Sequence, residues 1–349
     1  MKNFCLLLCC FLMLSCDRKK PSEKDQNDNI QLSETKVYKT IGLIERTDPR
    51  MSVLFAQEAK IEVIAEGFEW VEGPVWASEL NALLFSDVKE NKVYKWTEED
   101  SVSAYLEPSG FTGDSTNSRE KGSNGLATDS YGHLVLCQHG DRRIARMLST
   151  LDKPKSTFET IVSEFDGKQL NSPNDLVFDK KGNLYFTDPP YGLSDAMLDD
   201  PDKELDFQGV YRLSADERLT LLTQELEYPN GIALSLDNKS LYVSNSQDRK
   251  ALWMKYPIQE SGELGEGIIF YDASTLIGKE AGYPDGIEVD SRGFVYTAGP
   301  GGLWVFDSDG VVIGKIRSGD WISNCTFDEK EETLYITADD KLLRVKLKG

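Results

Sequence analysis

Short apolar runs separated by Asn, Asp, Gly and Lys clusters fill most of this chain, and one composite pattern returns six times. It begins with Asn, Asp or Glu, usually followed by Gly or Asp. Two to four apolar residues come next, then Asp, a turn and a second apolar run. Asn174-Asp175-Leu176-Val177-Phe178-Asp179, the turn Lys180-Lys181-Gly182 and Leu184-Tyr185-Phe186-Thr187-Asp188 form the clearest copy. Copies starting at Asn124, Asn230 and Asp285 repeat it, and looser ones start at Glu72 and Asn324. Successive starts lie 52, 50, 56, 55 and 39 residues apart. Runs rich in β-branched and aromatic residues and bounded by turn residues read as strands, and no window sustains a helical period. Two more strands follow each copy, such as Gly209–Leu213 and Leu219–Thr223 in the third, or Leu303–Asp307 and Val311–Ile316 in the fifth. Six repeats of four strands predict an all-β, six-bladed β-propeller. The last copy reaches only its third strand, Leu342–Leu347, before the chain stops. The unclaimed run Ile61–Ala65 upstream of the first copy is then the outer strand of the last blade, which joins the chain ends and removes an open edge.

The first residues do not fit this pattern. Lys2 precedes an apolar stretch from Phe4 to Leu14, followed by Ser15 and Cys16. A basic start, a short apolar region and a small residue describe a secretory signal. The run ending Met13-Leu14-Ser15-Cys16 resembles a bacterial lipoprotein signal with Cys16 as the lipidated first mature residue. An ordinary signal peptide cut nearby is the alternative. Asp17 to Thr40 is polar and charged, too poor in apolar surface to order itself, and reads as a tether. The expected division is a leader over 1–15, a lipidated Cys and tether over 16–47, and the propeller over 48–349. The expected location is outside the cytoplasm, as a periplasmic or outer-membrane lipoprotein held to the membrane through its lipid alone.

Composition narrows the function. The formal net charge is −20, which argues against nucleic acid, whose binders carry a basic stripe. No apolar run reaches the 18 or so residues of a spanning helix. Of six Cys, Cys5, Cys9 and Cys10 lie in the leader. With Cys16 lipidated, Cys137 and Cys325 remain, without disulfide-framework or metal spacing.

In a propeller the first strand of each blade lines the central channel, and the residue before it sits at one mouth. Glu72, Asn124, Asn174, Asn230, Asp285 and Asn324 therefore form a ring of oxygen-bearing side chains. Hard divalent cations take carboxylate and amide oxygens, and two acids nearly balance their charge. A reading in which these residues merely serve tight turns accounts for Asn and Asp. It does not account for Glu72.

The segments Glu66-Gly67-Phe68-Glu69-Trp70-Val71-Glu72-Gly73-Pro74-Val75-Trp76, Ser172-Pro173-Asn174-Asp175, Thr187-Asp188-Pro189-Pro190-Tyr191-Gly192, Tyr228-Pro229-Asn230-Gly231 and Pro284-Asp285-Gly286 resemble the gluconolactonase/regucalcin (senescence marker protein) family. Cys137-Gln138-His139-Gly140-Asp141-Arg142-Arg143 resembles its bacterial gluconolactonase branch. The resemblance runs from about residue 48 to the end. It implies a six-bladed propeller with one divalent cation, Ca²⁺ first and Zn²⁺, Mn²⁺ or Mg²⁺ as alternatives. It also implies hydrolysis of sugar lactones and related esters. Carried over by position, Glu72, Asn230 and Asp285 hold the metal, with Asn174 as fourth ligand or substrate contact and Asp285 as general base. Animal members have an Arg two residues before the matching Asn; here that position is Ser172.

Other positions carry weaker expectations. Asn124 joins Asn174 as a substrate contact. His139, beside an insertion, is a candidate hydrogen-bond donor to substrate, with a structural role as its alternative. His133 reads as a turn residue. Trp70 and Trp76 read as packing, and Asp188 and Tyr191 as parts of a shaped loop. The long connections Pro108–Ser123 and Pro189–Asp206 are candidate covers for the ringed mouth. A monomeric lactonase acting on a small molecule is the leading expectation. A phosphotriesterase or arylesterase on the same site, and a non-enzymatic ligand-binding propeller, are its competitors.

Overall fold

The computed structural model describes residues 36–348. The leader, Cys16 and the segment to residue 35 lie outside the described residues. Six sheets of four or five antiparallel strands follow one another in sequence, and they are the blades of the propeller. Blade I is Val71–Ala77, Ala82–Asp87, Lys92–Thr97 and Ser101–Leu106. Blade II spans Ser123–Thr128 to Phe158–Val162, and blade III Leu176–Phe178 to Leu219–Thr223. Blade IV spans Pro229–Leu234 to Ile268–Asp272, and blade V Ile287–Val289 to Val312–Arg317. Blade VI holds Ile322–Phe327, Thr333–Ala338 and Lys341–Lys346.

The closure is as the sequence predicts. Ile61–Glu66 pairs antiparallel with Lys341–Lys346, with Leu342 opposite Ala65. The boundary at residue 48 is corrected. Lys39–Ile41 adds a fifth strand to blade VI by pairing with Ile61–Val63, and Leu43–Arg46 adds a fifth to blade V by pairing with Gly314–Arg317. The compact body starts at Tyr38. This stretch lacks the apolar content of a core strand because each piece is an outer strand, which gains backbone hydrogen bonds and rests only Ile41 and Ile44 against the core.

Strand two of each blade explains the continuous apolar runs. Leu83 and Phe85 pack toward blade VI, whereas Leu84 between them packs toward blade II. Tyr242 faces blade V while Leu241 and Val243 face blade III. Each middle strand is thus covered on both faces, so the alternation of a half-exposed strand disappears. The core is correspondingly six clusters, one in each gap between neighbouring blades. Each fully buried Leu, Ile or Phe contributes about 1.5–3 kcal/mol.

In blades II, III, V and VI the Asp closing the first run caps the outer hairpin. Asp179 Oδ1 accepts from Lys181 and Asn183 N–H at 2.8 and 2.9 Å. Asp129 does the same for Tyr131 and His133, and Asp290 for Arg292 and Phe294. Gly182 and Gly293 complete the turns at φ +82° and +85°, where a side chain would strain the backbone. His133 is such a turn residue, as expected.

Candidate functional site

The inner ends of the first strands are bent. In blades I, II and IV the register with strand two slips where the ring residue stands: between Glu72 and Val75, Ser123 and Leu126, and Pro229 and Ile232. A bulge turns a side chain away from the regular pleat. The following Gly lets adjacent blades touch. A Cβ on Gly73 would lie 2.1 Å from Asn124 O, and one on Gly231 2.3 Å from Asp285 O. The recurrent Asn-Gly and Asp-Gly pairs are therefore points of inter-blade contact around the channel rather than hairpin turns.

Glu72, Asn124, Asn174, Asn230 and Asp285 converge on one cavity of about 370 Å³. Each is at most 7% exposed. The sixth ring residue, Asn324, is not among the lining residues. Its Oδ1 accepts from Cys325 N–H at 2.8 Å, and its amide fills the space that Gly286 leaves open. It belongs to the channel wall below the mouth.

The two acids are poorly satisfied for buried carboxylates. Glu72 accepts from Trp70 Nε1 at 3.4 Å and Gly73 N–H at 3.3 Å, both long. Burial, followed by the Asp175 and Glu120 charges, pushes its pKa up to about 8. No side chain among the described residues donates a hydrogen bond to Asp285. Its pKa is pushed well above the ordinary carboxylate range by burial, then by Glu72 and Asp175. Asn230 Nδ2 donates to Ser246 Oγ at 3.1 Å, and that hydroxyl donates to Pro284 O at 2.5 Å. The bond occupies the amide nitrogen and leaves Oδ1 for the cavity. Among the described residues no three His, Cys, Asp or Glu side chains form a metal cluster. A cation here would draw on two carboxylates and on Asn oxygens, a donor set suited to a hard divalent ion.

Both long connections reach the cavity. Arg119 and Glu120 come from the first, Tyr191 and Ala196 from the second. Ser118 Oγ donates to Gly192 O at 2.5 Å, so the two loops are clasped. Ser172 Oγ donates to Pro189 O at 2.6 Å and accepts from Gly192 N–H at 2.9 Å. The position that departs from the animal members' arginine thus holds a loop here rather than lining the cavity.

Several expectations change. His139 is fully buried and not on the cavity wall; it stands behind Glu120, with Nδ1 3.4 Å from Oε2. It does not occupy the substrate-contact position expected of it. Trp76 stacks on Tyr335 between blades, as packing. Trp70 instead lines the cavity, edge-to-face with Trp321, and Tyr283 extends that aromatic wall. Tyr191, read as loop structure, is also a lining residue, stacked on Tyr228. Asp188 is structural, accepting from Asn171 N–H at 2.8 Å. Sequence reasoning missed Lys89, Arg119, Glu120, Ser246, Tyr283 and Trp321. The length of the 108–123 loop was the one signal pointing to any of them.

Similarity to known proteins agrees with this geometry. The chain is 40% identical over 323 residues to a gluconolactonase of Zymomonas mobilis, covering 88% of this chain and 87% of that one. It is 30% identical over 198 residues to lactonase drp35 of Staphylococcus haemolyticus, covering 53% of each. The solved structure of a Xanthomonas campestris gluconolactonase superposes with a TM-score of 0.77 at 29% identity, covering 91% of this chain and 99% of that one. The sequence model of the SMP-30/Gluconolactonase/LRE-like region matches residues 70–340, and the chain belongs to that family.

Proposed function

We propose that this protein hydrolyses sugar lactones of the gluconolactone type, with a divalent cation held by Glu72, Asn174, Asn230 and Asp285. One observation carries the cation. Two buried carboxylates face one cavity in a ring whose remaining members offer amide oxygens, and the Glu72 charge adds to burial in raising the pKa of Asp285. Such a pair needs a proton or a positive charge between its members. The names of the similar proteins support lactones as the substrate class.

A divalent cation, when bound, polarises an ester carbonyl as a Lewis acid. The chain's own residues supply the rest. Asp285 takes the proton of the attacking water. Asn124 and Asn174 present amides to the substrate's hydroxyls. The Trp70–Trp321–Tyr283 wall offers flat apolar faces to the sugar's C–H groups. The two clasped loops limit access of bulk water.

The test is turnover of D-glucono-δ-lactone and other aldonolactones by chelated protein resupplied with Ca²⁺, Zn²⁺, Mn²⁺ or Mg²⁺. A phosphotriester and an aryl ester run alongside. Lactone turnover that vanishes on chelation and returns with one cation is expected. No lactone turnover with any cation would overturn the reading. The leader supports an exported lipoprotein; labelled palmitate should enter the wild type and not Cys16→Ser.

A further inference from the structure

We propose that Tyr191 is a second catalytic residue, whose hydroxyl donates a hydrogen bond to the lactone's carbonyl oxygen as that oxygen becomes negative. The inference rests on the lactonase reading.

The phenol is held with little freedom. Pro189 and Pro190 restrict the backbone ahead of it. Leu193 N–H donates to Pro190 O at 3.0 Å, which closes a turn around Tyr191, and Gly192 N–H donates to Ser172 Oγ just after it. The ring stacks on Tyr228, with centroids 5.7 Å apart and planes 17° from parallel. A donor fixed in advance stabilises developing charge without reorganising at the moment of reaction.

The hydroxyl has no task in the fold. Its oxygen is buried and makes no hydrogen bond among the described residues. Ser246 stands beside it, but that hydroxyl accepts from Asn230 Nδ2 and gives its hydrogen to Pro284 O. The carboxylates whose charges act on the phenol are Asp285 and, more weakly, Glu120. Ser246, Asp285 and Glu120 all line the cavity. The hydroxyl therefore belongs to the part of the wall that carries Asp285 and, behind Ser246, Asn230. Leaving a buried hydroxyl unpaired costs free energy that a phenylalanine would avoid.

Tyr211 shows that an unpaired hydroxyl alone does not make a site. Its oxygen is also buried without a partner, yet its ring lies in the gap between blades II and III, stacked on Phe186. Tyr191 differs in lining the cavity beside the proposed base.

The reaction supplies the missing acceptor. Water oxygen bonds to the carbonyl carbon while its proton passes to Asp285, and the π pair of the C=O bond moves onto the carbonyl oxygen. That oxygen gains charge and accepts the Tyr191 hydrogen bond. The proton stays on the tyrosine, since an ordinary phenol is protonated near neutral pH. When the pair returns, the bond from carbon to ring oxygen breaks. The ring oxygen leaves with its electrons and takes the proton held by Asp285. The product is a hydroxy acid, which ionises in solvent. A carbonyl oxygen has two lone pairs, so the hydroxyl adds to the polarisation by a bound cation without displacing it.

Tyr191→Phe removes the hydroxyl and keeps the ring on Tyr228. Wild type, Tyr191→Phe and Tyr211→Phe are compared in turnover of D-glucono-δ-lactone, metal content and melting temperature. Tyr191→Phe should lose about 10²-fold in kcat, the scale of one oxyanion donor, with KM within about threefold because the bond forms only in the transition state. Its metal content should match wild type. Its melting temperature should be equal or higher, since an unpaired buried hydroxyl is gone. Tyr211→Phe should show the same direction in stability with turnover within about twofold of wild type. A lower melting temperature for Tyr191→Phe would reveal a structural hydrogen bond. A raised KM at wild-type kcat would reveal a ground-state contact to a sugar hydroxyl, and lost metal would reveal support of the cation. Each of these, like wild-type turnover, would overturn the proposal while leaving the lactonase reading intact. A wild type inactive on lactones with every cation would overturn both.

Discussion

Asp285 and Asp290 stand five residues apart at opposite ends of one three-residue strand, and they have opposite chemistry. Asp290 accepts N–H bonds from Arg292 and Phe294 at 3.0 and 2.9 Å and pairs with the Arg292 guanidinium at 2.8 Å. Asp285 is also buried and accepts from Gly286 N–H, yet no described side chain donates to it, and its pKa is driven well up by burial and by the Glu72 charge. A buried carboxylate supplied with donors by its own turn is complete within the chain. One with fewer donors and a second carboxylate beside it needs a proton, a cation or a substrate. The first kind holds the fold and the second marks the chemistry, although both appear in the sequence as Asp in a repeat.

Asp285→Asn should separate the two kinds most sharply. Turnover on gluconolactone should fall about 10²-fold or more in metal-saturated protein, because the oxygen ligand stays while the basic oxygen goes. In chelator the variant should melt no lower than wild type, since it buries one charge fewer. A cation should raise the wild-type melting temperature more, because binding to the folded state alone stabilises it. A metal-saturated variant with wild-type turnover would move the base elsewhere.

Asp290→Ala should do the reverse. It leaves two backbone donors and a guanidinium without their acceptor, at a cost of about 2–4 kcal/mol. Denaturant melts should show the loss, and turnover well below the transition should stay within about threefold. Stability within about 0.5 kcal/mol of wild type would mean that the turn closes without its Asp.

Asp188 is an intermediate case and gives the smallest effect. One oxygen accepts from Asn171 N–H, and Oδ1 has no partner among the described residues. Burial pushes its pKa from 3.8 up to about 7. The folded state thus holds a proton that the unfolded chain releases near pH 4. The resulting stabilisation is complete below pH 4 and is lost as pH rises through 7. Asp188→Asn keeps the acceptor for Asn171 and removes the charge. Its melting temperature should fall less than the wild type's between pH 5.5 and 8.5, by a few degrees at about 2–4 °C per kcal/mol. Parallel pH profiles would show that Asp188 is ionised in the folded protein throughout.

Much of the fold was legible because each blade is a local object. Strands adjacent in sequence pair with each other, and the strand pattern recurs six times, four of them with an Asp two to four residues from the hairpin groups it binds. The closing strand Ile61–Glu66 was legible by elimination, as the one apolar run left without a partner. The outer strands Lys39–Ile41 and Leu43–Arg46 were not. Each is only three or four residues long and brings one side chain, Ile41 or Ile44, to the core, too little to leave a hydrophobic pattern. The Asn-Gly pairs were legible as a motif, but the reason for their Gly, close contact with a neighbouring blade some fifty residues away, was not.

The sequence by itself determined the propeller, its closure and five residues of the cavity, Glu72, Asn124, Asn174, Asn230 and Asp285, because these follow from a repeated register. It also placed Asn324 in the ring, and there the register misled; for His139 it left a substrate contact and a structural role open. The tertiary structure moved Asn324 into the channel wall and His139 behind Glu120. It alone brought Arg119, Glu120, Tyr191, Trp70, Tyr283 and Trp321 to the same mouth. Those residues sit on irregular loops and strand ends, where position depends on side-chain clasps such as Ser118 on Gly192. No period along the chain encodes a contact of that kind.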